Sequence, residues 1–104
     1  MREPLYGLSA ATVEKIQSLL ARHAIVEKAV LYGSRAKGNY KNGSDIDLTL
    51  YGAGLTYEEM TKISGELDDL MLPYEIDLSI FEKLNHQDLR EHIERIGKLF
   101  YERC

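Results

Sequence analysis

Asp45 and Asp47 stand two residues apart in the alternating run Asp45-Ile46-Asp47-Leu48-Thr49-Leu50, and Asp77 sits in a second such run, Tyr74-Glu75-Ile76-Asp77-Leu78-Ser79-Ile80. Alternate side chains of an extended strand share a face. Asp45, Asp47 and Thr49 are therefore expected on one face, and Glu75, Asp77 and Ser79 opposite Ile76, Leu78 and Ile80. If the two strands are near neighbours, the three acids converge. Crowded carboxylates raise one another's pKa unless a cation neutralises them. Hard oxygen donors of this kind suit Mg²⁺, which takes one or two carboxylates and completes its shell with water and phosphate oxygens. Two such ions, roughly 3.5–4 Å apart, can clamp the attacking and leaving oxygens of a phosphoryl-group displacement.

Alone, an Asp-x-Asp pair more often caps a turn and solvates the face of an edge strand. The residues upstream reverse that weighting. The apolar run Ala29-Val30-Leu31-Tyr32 stops at Gly33, which permits an unusual backbone turn, and Ser34 opens a segment whose free N–H groups can grip an anion. A phosphate site is thus expected beside the metal site. Arg35, Lys37 and Lys41 are placed either to add positive charge around that pocket or, equally, to be solvated loop residues.

The elements that must position these residues follow from periodicity. Val13, Ile16, Leu20 and Ala24 recur at helical spacing, predicting a helix over about Ser9 to His23 with Ser9 as N-cap. Val26 and then Ala29–Tyr32 predict a strand buried on both faces. Gly33 to Ser44 reads as a loop, with room for one helical turn beginning at Ser34. A strand carries Asp45 to Leu50, and Tyr51-Gly52-Ala53-Gly54 breaks it. Thr56-x-x-Glu59 resembles a capping box for a helix bearing Met60, Ile63, Leu67 and Leu70. Pro73 closes that helix before the second acid-bearing strand. A last helix is expected from about His86, with Leu89, Ile93, Ile96 and Phe100 along one face. The predicted order is helix, strand, loop, strand, helix, strand, helix.

The chain of 104 residues, 44% hydrophobic and 29% charged, is expected to form one globular domain over residues 1–104 without repeats or low-complexity tracts. Its formal net charge of −4 and lack of a dense Lys/Arg run argue against direct binding of long nucleic acid. Cys104 has no partner for an intramolecular disulfide, which suits a reducing cytosol. The first residues lack the apolar core of a signal peptide, and no apolar stretch approaches the ~20 residues that span a bilayer, so a soluble cytoplasmic protein is expected. His23, His86 and His92 are expected in or beside helices, away from the acids. Glu75 is set aside as a solvated strand-end acid, and Glu66, Asp68 and Asp69 as an exposed helix face. The seven tyrosines divide between core and a partner surface.

Gly33-Ser34-Arg35-Ala36-Lys37-Gly38, followed after Ser34 by ten residues and then Asp45-Ile46-Asp47-Leu48, resembles the signature of the DNA polymerase β-like nucleotidyltransferase superfamily. Asp77 matches the third carboxylate of that signature. Lys37 stands where many relatives carry arginine, which keeps the charge but loses a bidentate phosphate contact. The short length resembles the minimal nucleotidyltransferases (MNT), the antitoxins of paired HEPN/MNT toxin-antitoxin systems. The resemblance implies an α+β fold, a mixed β-sheet with flanking helices. It implies ATP held near Gly33 and Ser34, with Arg35 and Lys37 as further nucleotide-binding candidates. Two Mg²⁺ ions would be held by Asp45 and Asp47, with Asp77 on the catalytic-side ion.

The implied reaction is transfer of AMP from ATP to a hydroxyl, a tyrosine first of all, on a HEPN toxin held in a hetero-oligomer. The alternative is an antitoxin that neutralises its partner by occlusion, without catalysis. A small-molecule acceptor is a third possibility, but such enzymes generally carry an extra domain to enclose it.

Overall fold

The computed structural model describes residues 6–41 and 43–103. Cys104 lies outside the described residues. Ser9 starts the first helix, α1 (Ala10–Ala21), and its hydroxyl accepts the Thr12 amide at 3.1 Å. A cap of this kind contributes about 1 kcal/mol. Strand β1 (Lys28–Tyr32) leads through Gly33 into a one-turn helix, α2 (Ser34–Lys37), at the position expected for a single turn. Strand β2 (Ile46–Tyr51) follows, then α3 (Tyr57–Asp68), where Thr56 Oγ1 accepts the Glu59 amide at 3.2 Å. Strand β3 (Ile76–Ile80) ends in a 3₁₀ turn at Phe81–Lys83, and α4 (Gln87–Ile96) leads into β4 (Lys98–Glu102).

Two boundaries differ from the periodicity. The last helix stops at Ile96, so Phe100 is not on it: Gly97 turns extended, and Lys98–Glu102 pairs antiparallel with the free edge of β1. Leu89, Ile93, Ile96 and Phe100 keep helical spacing across this break, but Phe100 is buried from a strand in the core cluster under α1 and α3, to which Ile93 of α4 does not belong. A run of Leu, Phe and Tyr favours a strand once an unpaired edge is available. At the other end, α1 stops at Ala21, and Val26 is buried ahead of the ladder, which begins at Lys28.

The sheet runs β3-β2-β1-β4, with β2 parallel to β3 and the other pairs antiparallel. It is the mixed sheet of an α+β fold. Register places Leu31 opposite Leu48, Ala29 opposite Leu50, and Leu48 beside Leu78. This face packs under α1 and α3 in one cluster with Val13, Ile16, Leu20, Ile63 and Leu67. The other face carries Val30, Tyr32, Asp47, Thr49, Asp77 and Ser79, and α4 lies against it through a Tyr32–His92 edge contact at 6.3 Å. Its far end is filled by Tyr51 stacked on Phe81 at 4.7 Å, with Lys28 against Tyr51 and Arg90 against Phe81. The near end, where Asp47 and Asp77 stand, is the more open one. Among the described residues, no helix is long and apolar enough to cross a membrane.

Candidate active site

Asp47 and Asp77 are direct register partners across the parallel β2–β3 pair, and Tyr32 is the partner of Asp47 across β1–β2. Directly opposed side chains of neighbouring strands stand about 4.5–5.5 Å apart at Cβ. The two acids expected on separate strands therefore meet. Asp45 is placed differently. It precedes the first residue of β2 and is exposed, and its charge reaches Asp47.

Burial pushes the Asp47 carboxyl above the ordinary aspartate range, and the negative charges of Asp77 and then Asp45 add to the effect. Among the described residues no salt bridge involves any of the three.

Gly33 has φ 78° and ψ −155°, a conformation open to glycine, and a Cβ added there would collide with Asp47 Oδ2. The backbone turn and the carboxylate touch. The short helix that begins at Ser34 follows this turn directly, and the first N–H groups of a helix have no partner within it. The expected adjacency of phosphate turn and acid thus exists in the fold.

Among the described residues, no three His, Cys, Asp or Glu side chains stand close enough together to hold a metal ion by themselves. The acids form a tight pair, Asp47 and Asp77, with Asp45 beside it. That donor set fits Mg²⁺, which needs only one or two carboxylates when phosphate oxygens and water complete its octahedron. It does not fit a cation enclosed by protein alone.

The two basic candidates separate. Lys37 is exposed at the end of α2. Arg35 is only 2% exposed and turns inward: Nε and Nη2 donate to the Ser44 carbonyl at 3.1 and 2.9 Å, and Nη1 to the Tyr6 carbonyl at 2.8 Å. Its guanidinium lies between the rings of Tyr40 and Tyr74.

Tyr32, the register partner of Asp47, was not singled out from sequence. Burial raises the Tyr32 phenol above its ordinary pKa; the neighbouring Ser79 hydroxyl opposes this, and the charges of Asp47 and Asp77 reinforce it. Alternation alone could have found Tyr32, since it ends the strand that delivers Gly33. His92, expected away from the acids, sits edge-on to Tyr32, and its pKa is lowered by burial and then by Lys37 and Arg95. Placing His92 and Arg95 required knowing where α4 docks. His23, by contrast, lies just after α1 and pairs with Glu66 of α3 at 2.9 Å, so Glu66 is more than a solvated helix residue. Two residues along from the acids on β2 and β3, Thr49 Oγ1 and Ser79 Oγ are buried without a hydrogen-bond partner among the described residues.

The family described as polymerase beta, nucleotidyltransferase, matches residues 14–104 of the chain. No curated protein sequence matches it. Among solved structures, one similar chain comes from a toxin-antitoxin complex with AMP-PNP: 22% identity, TM-score 0.72, covering 88% of this chain and 73% of that one. A second comes from a complex of a tri-AMPylated Shewanella oneidensis HEPN toxin with MNT antitoxin: 19% identity, TM-score 0.67, covering 89% and 71%. A third is a putative nucleotidyltransferase from Sulfolobus solfataricus: 18% identity, TM-score 0.58, covering 89% and 79%. At these identities the structural likeness establishes the fold.

Proposed function

Since this chain belongs to the polymerase β nucleotidyltransferase family, we propose that it is an MNT-type antitoxin that transfers AMP from ATP to a hydroxyl, a tyrosine first of all, on a HEPN-type partner. The observation that carries the reading is the contact of the Gly33 turn with the Asp47 carboxylate, itself in register with Asp77. A triphosphate at the turn and a cation at the acids would then be neighbours. Similar chains in complexes with AMP-PNP and with an AMPylated HEPN toxin support the choice of nucleotide and partner.

In this reading Gly33 and Ser34 hold the triphosphate through backbone N–H groups and the Ser34 hydroxyl, and exposed Lys37 adds charge. Asp45, Asp47 and Asp77 would hold two Mg²⁺ ions. Bound Mg²⁺ supplies charge neutralisation at the phosphates and lowers the pKa of the attacking hydroxyl. Asp77, exposed at the sheet edge, takes the proton of the acceptor. The acceptor oxygen bonds to the α-phosphorus as the bond to the bridging oxygen breaks, and pyrophosphate leaves. Most of the rate gain comes from positioning and electrostatics.

Co-expression with the product of the neighbouring gene, followed by intact-mass measurement, tests this. The partner should gain the mass of AMP with the native protein and not with the Asp45→Asn/Asp47→Asn double variant. A tight complex without added mass, neutralised equally by the double variant, would establish an occluding antitoxin instead.

A further inference from the structure

We propose that Arg35 is the positioning residue of this site: its guanidinium fixes the Ser44–Asp45 backbone against the Gly33-Ser34 turn. The inference rests on the Mg²⁺-nucleotide reading given above and names the internal part that assembles that site.

Arg35 immediately follows Ser34, and its side chain returns to the far end of the same loop. Nε and Nη2 form a fork on one carbonyl oxygen, that of Ser44, whose peptide bond leads into Asp45. Nη1 binds the Tyr6 carbonyl on the segment that precedes α1. Tyr40 and Tyr74 face the guanidinium with centroids 5.1 and 4.9 Å from its central carbon. Tyr74 stands three residues before Asp77, where the Ile46 amide bonds to the Glu75 carbonyl at 2.8 Å and the β2–β3 pairing starts. One side chain therefore touches the segments that lead to the phosphate turn, to Asp45 and to Asp77.

The packing leaves little slack. A Cβ at Gly7 would collide with the Tyr40 ring and come within 3.0 Å of Arg35 Nη1. Only 2% of Arg35 is exposed, so its guanidinium is directed to these protein groups. Without an ion pair among the described residues, carbonyl dipoles and aromatic faces carry the compensation of its charge. Lysine supplies the same charge but neither the planar fork nor the stacking.

Arg35→Lys is the test, because it keeps the charge beside the acids and removes the geometry. Mn²⁺ alone, followed by electron paramagnetic resonance, is the probe. If Arg35 positions Asp45, the folded variant should bind Mn²⁺ about 10-fold more weakly, the size of effect seen when groups behind metal ligands are removed. Its kcat for transfer should fall on the order of 100-fold with a smaller change in KM for ATP. Millimolar guanidinium chloride should restore Mn²⁺ binding to Arg35→Ala. Unchanged Mn²⁺ affinity with a raised KM would mean that Arg35 grips phosphate, and would overturn the proposal. Should Arg35→Lys fail to fold by circular dichroism, Tyr74→Leu decides: weakened Mn²⁺ binding supports positioning and native affinity refutes it. A native protein that binds no Mn²⁺ would overturn the nucleotide reading and this inference together; a native protein that binds as Arg35→Lys does would overturn this inference alone.

Discussion

The two faces of the sheet differ in what they leave unsatisfied. Under α1 and α3, Ala29, Leu31, Ile46, Leu48 and Leu50 are fully buried and carry no side-chain polar atom. On the opposite face Asp47 is partly exposed with a raised pKa, and the Thr49 and Ser79 hydroxyls are buried without partners among the described residues. Buried unpaired polar groups and crowded charges both cost stability. The first face holds the domain together, while the second carries local penalties that bound ligands can relieve. Rigid support on one side is what allows strained chemistry on the other.

The largest expected effect separates the faces by activity. Asp47→Asn should lower AMP transfer on the order of 10³-fold, measured as label transferred per folded molecule, with no loss of stability. It should even stabilise the unliganded protein slightly. Because the folded pKa of Asp47 is raised, the native state holds its proton over a window in which the unfolded chain has released it. Stability therefore falls as pH rises from the ordinary value near 3.9 through the raised one. The advantage of Asp47→Asn should be absent below about pH 3.9 and grow to a plateau at neutral pH. It should stay within about 1 kcal/mol, because a half-exposed carboxylate is screened. Urea unfolding across that pH range would break the comparison if the variant proved less stable at pH 7.

The converse substitution lies on the other face. Leu48→Ala, one residue along the same strand, should cost about 2–5 kcal/mol while leaving transfer per folded molecule near native. Urea midpoints measured for both variants place the contrast on one scale. If Asp47→Asn and Leu48→Ala were equally destabilising, the division of labour between the faces would be wrong.

The smallest effect sharpens the account of the second face. Thr49→Val keeps the β-branched shape and removes a hydroxyl with no hydrogen-bond partner among the described residues. The melting temperature should rise by several degrees, corresponding to about 1 kcal/mol. A fall would show that a buried water satisfies the hydroxyl.

Much of the site was legible in the chain because its signals are local. Alternation around Asp47 and Asp77 assigns each acid to a strand face, and Gly33 marks where a strand must turn. The caps at Ser9 and Thr56 lie within one helical turn of the amides they bind. The same locality misled at the C-terminus, where helical spacing continued through Phe100 although Gly97 had ended the helix. Spacing reports burial, and burial can be reached from either kind of element.

Amino-acid order by itself singled out the candidates for phosphate and metal binding, and set the alternation that sends Asp47 and Leu48 to opposite faces. Tertiary structure alone decided that β2 and β3 lie side by side in parallel with Asp47 beside Asp77. It also decided the fate of two cations that look alike in Gly33-Ser34-Arg35-Ala36-Lys37-Gly38. Arg35 is enclosed by Tyr6, Tyr40, Ser44 and Tyr74, up to 39 residues away, whereas Lys37 remains in solvent. A side chain's charge is written in its own codon position, but the dielectric and the hydrogen-bond partners that give the charge its role come from segments distant in the chain.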